Sequence, residues 1–151
     1  MERLAAAEPD FITVHASGGI EMKKAAVEAA GAKAKILAVT VLTSAEENTD
    51  PATNGIPIET LVFLRAQESM RAGVHGIVCS PKELRILCGQ SDFGGLAKVT
   101  PNIRPIWYQD KDDQNPARSM APKEARGEGA DFLVIGRPIT RADDPLAAVN
   151  R

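Results

Sequence analysis

Within the segment DFLVIGRPIT (131–140), Gly136 and Arg137 combine what a phosphate group asks of a protein. A glycine after an apolar run lets a ligand approach the backbone, whose N–H groups can cradle an anion. The arginine beside it adds a planar fork that matches phosphate oxygens. A turn glycine followed by a surface arginine would give the same pattern, and the motif alone leaves both readings open. VTPNIRP (99–105) supplies a second arginine, Arg104, between Pro101 and Pro105. Two arginines on neighbouring loops suit a phosphorylated ligand better than either alone, against the competing reading of a solvated loop arginine.

Other polar residues are less specific. In DKDDQ (110–114), Gln114 can hydrogen-bond an amide edge and a phosphate, while the acidic run reads equally as a solvated face. Thr43, in VLTS, either caps the next helix or bonds a ligand. His15, in VHASGG, has no carboxylate or cysteine at metal or triad spacing and is expected to be a packed or hydrogen-bonded strand residue. His75 precedes a strand without a supporting pattern, which predicts a structural or surface role. Cys79 and Cys88 fit no CxxC or zinc spacing and lie in apolar sequence, as reduced core or helix residues of a cytosolic protein would.

The elements that must position these residues are legible as five apolar runs: FITVHA (11–16), KILAVTVLT (35–43), GIVCS (76–80), LAKVT (96–100) and DFLVIG (131–136). Four are nearly continuous in apolar residues, which predicts strands covered on both faces. Between them lie helical signals. IETLVFLRAQESMRAG puts Ile58, Leu61, Val62, Ala66 and Met70 on one stripe, with Gly73 as its stop. SPKEL predicts a capping box of Ser80 and Glu83 with Pro81 at the first helical position, and TSAEE repeats that logic with Ser44 and Glu47. Strand, polar loop, helix, strand is a βα repeat around a parallel sheet. The polar residues follow the strands, as on the functional face of an α/β barrel, where phosphate sites occupy the loops after the last two strands. Segment 106–120 is long and aperiodic, which predicts a lid, a binding loop or disorder.

Composition bounds the rest. A length of 151 residues is expected to form a single domain over 1–151. The net charge of −2 and 4% aromatic content give no basic field or stacking platform for nucleic acid. The apolar runs are too short for a membrane span, and the charged N-terminal segment does not read as a signal peptide, so a cytoplasmic protein is expected.

In order, VHASGG, AVTVLTS, GIVCS, VTPNIRP, DDQ and LVIGRPITRADDP resemble bacterial orotidine 5′-phosphate decarboxylases over about 11–149. The resemblance implies a (β/α)8 barrel, usually dimeric, that converts orotidine 5′-phosphate to UMP with no metal or organic cofactor. It also implies substrate-binding roles. Arg104 and Arg137 resemble the ligand-contacting arginines, with Gly136 giving backbone at the phosphate. Gln114 resembles the glutamine reaching between phosphate and pyrimidine, and Thr43 the threonine beside the base. Four positions depart from the family pattern: Asn102 stands for a glycine, Ala121 for a helix-capping threonine and His75 for an aspartate. The arginine expected two positions after Gln114 is replaced by Asn-Pro-Ala before Arg118.

The larger departure concerns catalysis. The family's chemistry rests on a strand-end motif Asp-x-Lys-x-x-Asp, whose lysine protonates the carbanion left by departing carbon dioxide. The sequence contains no such motif: its one Asp-Lys-Asp, at 110–112, lies in the polar loop, and Lys98 lies inside a strand. No catalytic residue is therefore assigned. Aligned by motif, the chain resembles strands 4 to 8, a partial TIM (β/α)8 barrel of five parallel βα units without the first three. Such a partial barrel is expected to leave two sheet edges open. A homodimer or a complementing N-terminal half would cover them. Alternatives are a non-catalytic nucleotide- or phosphate-binding remnant and a sugar-phosphate barrel enzyme.

Overall fold

The computed structural model describes residues 1–43, 55–108 and 118–151. All five apolar runs form strands: β1 (Phe11–His15), β2 (Lys35–Val39), β3 (Gly76–Val78), β4 (Ala97–Thr100) and β5 (Phe132–Leu133). They make one parallel sheet in the order β1-β2-β3-β4-β5, so each strand pairs with its successor in the chain. Parallel neighbours need a crossover between them, and helices provide it. A short α1 (Glu2–Ala5) precedes the sheet. α2 (Gly19–Ala30) follows β1 and α3 (Ile58–Arg71) follows β2. α4 (Leu84–Cys88) follows β3 and α5 (Pro122–Gly127) follows β4, while α6 (Arg137–Thr140) and α7 (Pro145–Val149) follow β5.

Local rules account for the helices. The apolar stripe of α3 is buried at Ile58, Leu61, Val62 and Ala66, with Met70 half-buried against the core. Gly73 lies just beyond it at φ +79°, a left-handed position that costs glycine little. The Ser80–Glu83 capping box forms as expected, with Pro81 in the first turn. The second expected box, Ser44 and Glu47, lies outside the described residues.

Alternate residues of a strand face opposite sides, and register carries each side across the sheet. Ile12, Val14, Ile36, Ala38 and Ile77 share the side covered by the helices and belong to one core cluster with Val62, Ala66, Leu84 and Ala125. The other side is only partly covered. There β1 exposes Thr13 and His15, and Phe132 and Val134 are 47% and 48% exposed. Strands covered on both faces were expected from the runs, and this is corrected at the two ends of the sheet. β5 has one strand neighbour, so its apolar residues lack the second layer of contacts that an inner strand receives. The sheet nevertheless curls enough for Phe11 of β1 and Phe132 of β5 to meet edge to face, ring centroids 5.4 Å apart. Gly76 sits where the layers come closest: a Cβ there would lie 2.6 Å from the Ala97 carbonyl oxygen.

Two residues that precede strands close hydrogen bonds of the sheet. His75 Nδ1 accepts from Ile36 N–H at 3.0 Å, and Asp131 Oδ2 accepts from Lys98 N–H at 2.8 Å. His75 thus has the structural role expected of it, and its acceptor nitrogen does what a carboxylate does at the equivalent place before β5. Cys79 is buried in the core, whereas Cys88, on α4, is exposed; both are free thiols. Burial pushes the Cys79 thiol far above its ordinary value, so it stays protonated. Among the described residues no helix is long and apolar enough to cross a membrane.

Candidate functional site

Because all five strands run the same way, their C-terminal ends share one rim of the sheet, and the sequence's polar motifs gather there. His15 ends β1, Thr43 lies half-buried in the loop after β2, and Ser80 follows β3. Arg104 follows β4, and Gly136–Arg137 follows β5. β4 and β5 are hydrogen-bonded neighbours, and Val134 N–H still reaches Thr100 O at 2.9 Å beyond their paired residues. The loops that carry the two arginines are therefore adjacent, while Thr43 stands two strands away from β4. Gln114 lies outside the described residues. His15 is exposed rather than packed, because it faces the partly covered side of the sheet.

Local devices hold the loop of Arg104 and leave that of Gly136 open. Arg104 N–H donates to Met120 O at 2.9 Å, and Ile103 bridges Met120, so the loop after β4 is pinned where the chain returns toward α5. The Arg104 guanidinium carbon sits 5.6 Å from the centroid of the Tyr108 ring, a cation–π contact that orients the fork. Asn102, at φ +62° and buried, holds the left-handed turn before it; asparagine tolerates this better than most residues. Gly136 precedes α6, and a Cβ built on it would meet nothing within 4 Å, so a ligand has room at its backbone. Arg137 is the first residue of α6 and half-buried.

Sequence reasoning missed a buried polar network just behind this rim. The Arg118 guanidinium donates to the Glu83 carboxylate and to Leu42 O, the latter at 3.0 Å. The second Glu83 oxygen accepts from Ser80 N–H at 2.8 Å, and the Ser80 hydroxyl donates to Arg118 O at 3.4 Å. Glu83 is 2% exposed and Arg118 9%. Burial pushes the Glu83 carboxyl up from its ordinary value of 4.5, and the attraction of Arg118 opposes that without cancelling it. The sequence signals for this network were the Ser80–Glu83 capping box and the displaced arginine after Gln114; what joins them was not legible.

Two buried lysines serve the helix layer. Lys98 Nζ donates to Phe93 O at 2.9 Å, so this strand lysine points away from the partly covered side. Lys23, fully buried on α2, donates to Ala16 O at 3.1 Å and pairs with Glu68 of α3 at 2.6 Å. Both ammonium groups are thereby committed to holding elements together.

Residues 1–151 match the family described as orotidine 5′-phosphate decarboxylase / HUMPS. The chain belongs to that family. An orotidine 5′-phosphate decarboxylase of Rhodopseudomonas palustris (strain BisA53) is 46% identical over 156 residues, covering 99% of this chain and 62% of the relative. One of Streptococcus pneumoniae (strain Hungary19A-6) is 39% identical over 143 residues, covering 93% of this chain and 60% of the relative. The crystal structure of orotidine 5′-phosphate decarboxylase from Lactobacillus acidophilus superposes with a TM-score of 0.81 at 34% identity, over 99% of this chain and 64% of that one. The chain thus spans about three fifths of its relatives' length, and its five parallel strands with alternating helices form part of a TIM barrel.

Proposed function

We propose that this chain is the nucleotide-gripping part of an orotidine 5′-phosphate decarboxylase, a cytoplasmic carboxy-lyase of pyrimidine biosynthesis that turns orotidine 5′-phosphate into UMP. The observation that carries the proposal is the adjacency of two arginine-bearing loops at the C-terminal ends of β4 and β5, with open space at Gly136. In this reading Arg104, Gly136 and Arg137 hold the phosphate, Gln114 bridges phosphate and pyrimidine, and Thr43 lies beside the base. A phosphate dianion suits such a place because arginine forks and backbone N–H groups give several charge-assisted bonds at once. No residue of the chain is assigned to proton transfer, since the family's strand-end lysine and aspartates have no counterpart here and Lys23 and Lys98 are committed elsewhere. The isolated chain is accordingly a binder without turnover. A complementing N-terminal half, or a second copy of the chain, is proposed to cover the edges at β1 and β5.

Calorimetric titration with UMP tests the binding role. Arg137→Ala is expected to weaken UMP by about 1.5–3 kcal/mol, the scale of a hydrogen bond to a charged group. An unchanged affinity contradicts the role. The half-exposed Phe132 and Val134 on the partly covered side also fit a non-catalytic nucleotide-binding remnant that pairs with itself. A stable homodimer that binds UMP and gains no activity from an N-terminal half would decide for that reading, and preference for a sugar phosphate over UMP would decide for a sugar-phosphate enzyme.

A further inference from the structure

We infer that Arg118 and Glu83 form a buried latch that positions the nucleotide-binding loops, by fastening the loop after β2 and the segment after β4 to the turn after β3. This rests on the nucleotide reading above and names a residue pair that acts through others, touching no ligand itself. The geometry carries it. One guanidinium reaches two acceptors on different elements, Leu42 O and the Glu83 carboxylate, while the backbone carbonyl of the same residue accepts from the Ser80 hydroxyl. Glu83 completes the circuit by accepting from Ser80 N–H. Three successive strand ends are thus joined: Ser80, Glu83 and Arg118 are at most 9% exposed, and Leu42, itself 52% exposed, contributes only its backbone carbonyl. Leu42 directly precedes Thr43, and Arg118 stands two residues before Met120, whose carbonyl accepts from Arg104 N–H. A shift of the latch therefore displaces the loops that carry Thr43 and Arg104 together.

Stability alone is a poor reason to bury such a pair. Desolvating two charges costs about as much as their attraction returns, and an apolar pair of similar volume often does as well. What an apolar pair cannot do is fix direction, whereas a planar fork with separate acceptors sets distance and orientation together. The family pattern places its arginine two residues after Gln114; here Arg118 stands four after it, and the latch shows what that side chain is for.

The test compares UMP affinity by calorimetry for the unaltered chain, Arg118→Met, Arg118→Lys, Glu83→Gln and the core control Val62→Ala, with melting temperature measured on each. Arg118→Met and Glu83→Gln are expected to raise Kd by about tenfold or more, as displaced binding groups do. Arg118→Lys keeps the charge without the fork and should fall between them and the unaltered chain. Val62→Ala should lower the melting temperature and leave Kd within about twofold. Affinity unchanged in Arg118→Met or Glu83→Gln, with melting lowered as in Val62→Ala, would overturn the latch and reduce the pair to a structural one. If Arg118→Met does not fold, Arg118→Lys and Glu83→Gln give the same decision. Absence of UMP binding by the unaltered chain would instead sink the nucleotide reading, and the latch with it.

Discussion

The two faces of the sheet are built to different standards. On the helix-covered face Ile36, Ala38 and Ile77 are fully buried and join one core cluster that reaches α2, α3, α4 and α5. On the other face Leu37 and Val99 are buried, yet both lie outside that cluster, and Phe132 and Val134 are about half exposed. The difference separates what holds the chain together from what it offers outward. The covered face satisfies itself, while the partly covered face supplies the rim and the apolar surface that a complete barrel would close.

The sharpest way to break this comparison is to trim one apolar side chain on each face. Ile36→Ala should cost about 2–5 kcal/mol of unfolding free energy, the range for deleting a well-packed core side chain. Val134→Ala should cost less than about 1 kcal/mol, because half of that side chain already meets solvent. Chemical denaturation of both variants measures the contrast, and equal costs would mean that the partly covered face is packed as tightly as the helix-covered one.

A second test concerns the border between the faces. The Glu83 carboxyl is raised in the folded chain, chiefly by burial, with Arg118 opposing and Glu59 adding a weaker repulsion. A group raised on folding contributes stability that is fully present below its unfolded value and lost as pH rises through its folded value. The advantage of the unaltered chain over Glu83→Gln should therefore shrink as pH rises from the ordinary carboxyl value of 4.5 upward. Paired melting curves across that window measure it, and an advantage that grows with pH would reverse the assignment and make Arg118 the dominant influence.

The smallest effect belongs to α5. Ala121 occupies its N-cap in extended conformation with no side-chain cap, as the missing threonine implies. Ala121→Thr should add about 1 kcal/mol of stability by denaturant titration. No gain would mean that the first-turn N–H groups of α5 are already satisfied.

The order of elements was readable because continuous apolar runs, Ser80 with Glu83, and Gly73 are local signals, each with its own mechanical reason. The gathering of Thr43, Arg104 and Gly136–Arg137 at one rim followed from the strands all running the same way. What escaped reading was set by distance along the chain. Arg118 meets Glu83 and Leu42 from 35 and 76 residues away, and Lys23 meets Glu68 from 45. The exposure of β5 escaped for another reason: the run Phe132–Ile135 records how apolar a strand is, not whether a neighbour stands beside it. His15, expected to be packed or hydrogen-bonded, is exposed on the partly covered side.

The central claim is a division of labour, with the nucleotide grip on this chain and the acid elsewhere. The most direct test is a decarboxylation assay on orotidine 5′-phosphate, run with the chain alone and with a separately made N-terminal part of a relative that carries Asp-x-Lys-x-x-Asp. The account predicts no turnover by the chain alone and turnover by the mixture, lost again in Arg137→Ala. Turnover by the chain alone, or none from a folded mixture, would contradict it.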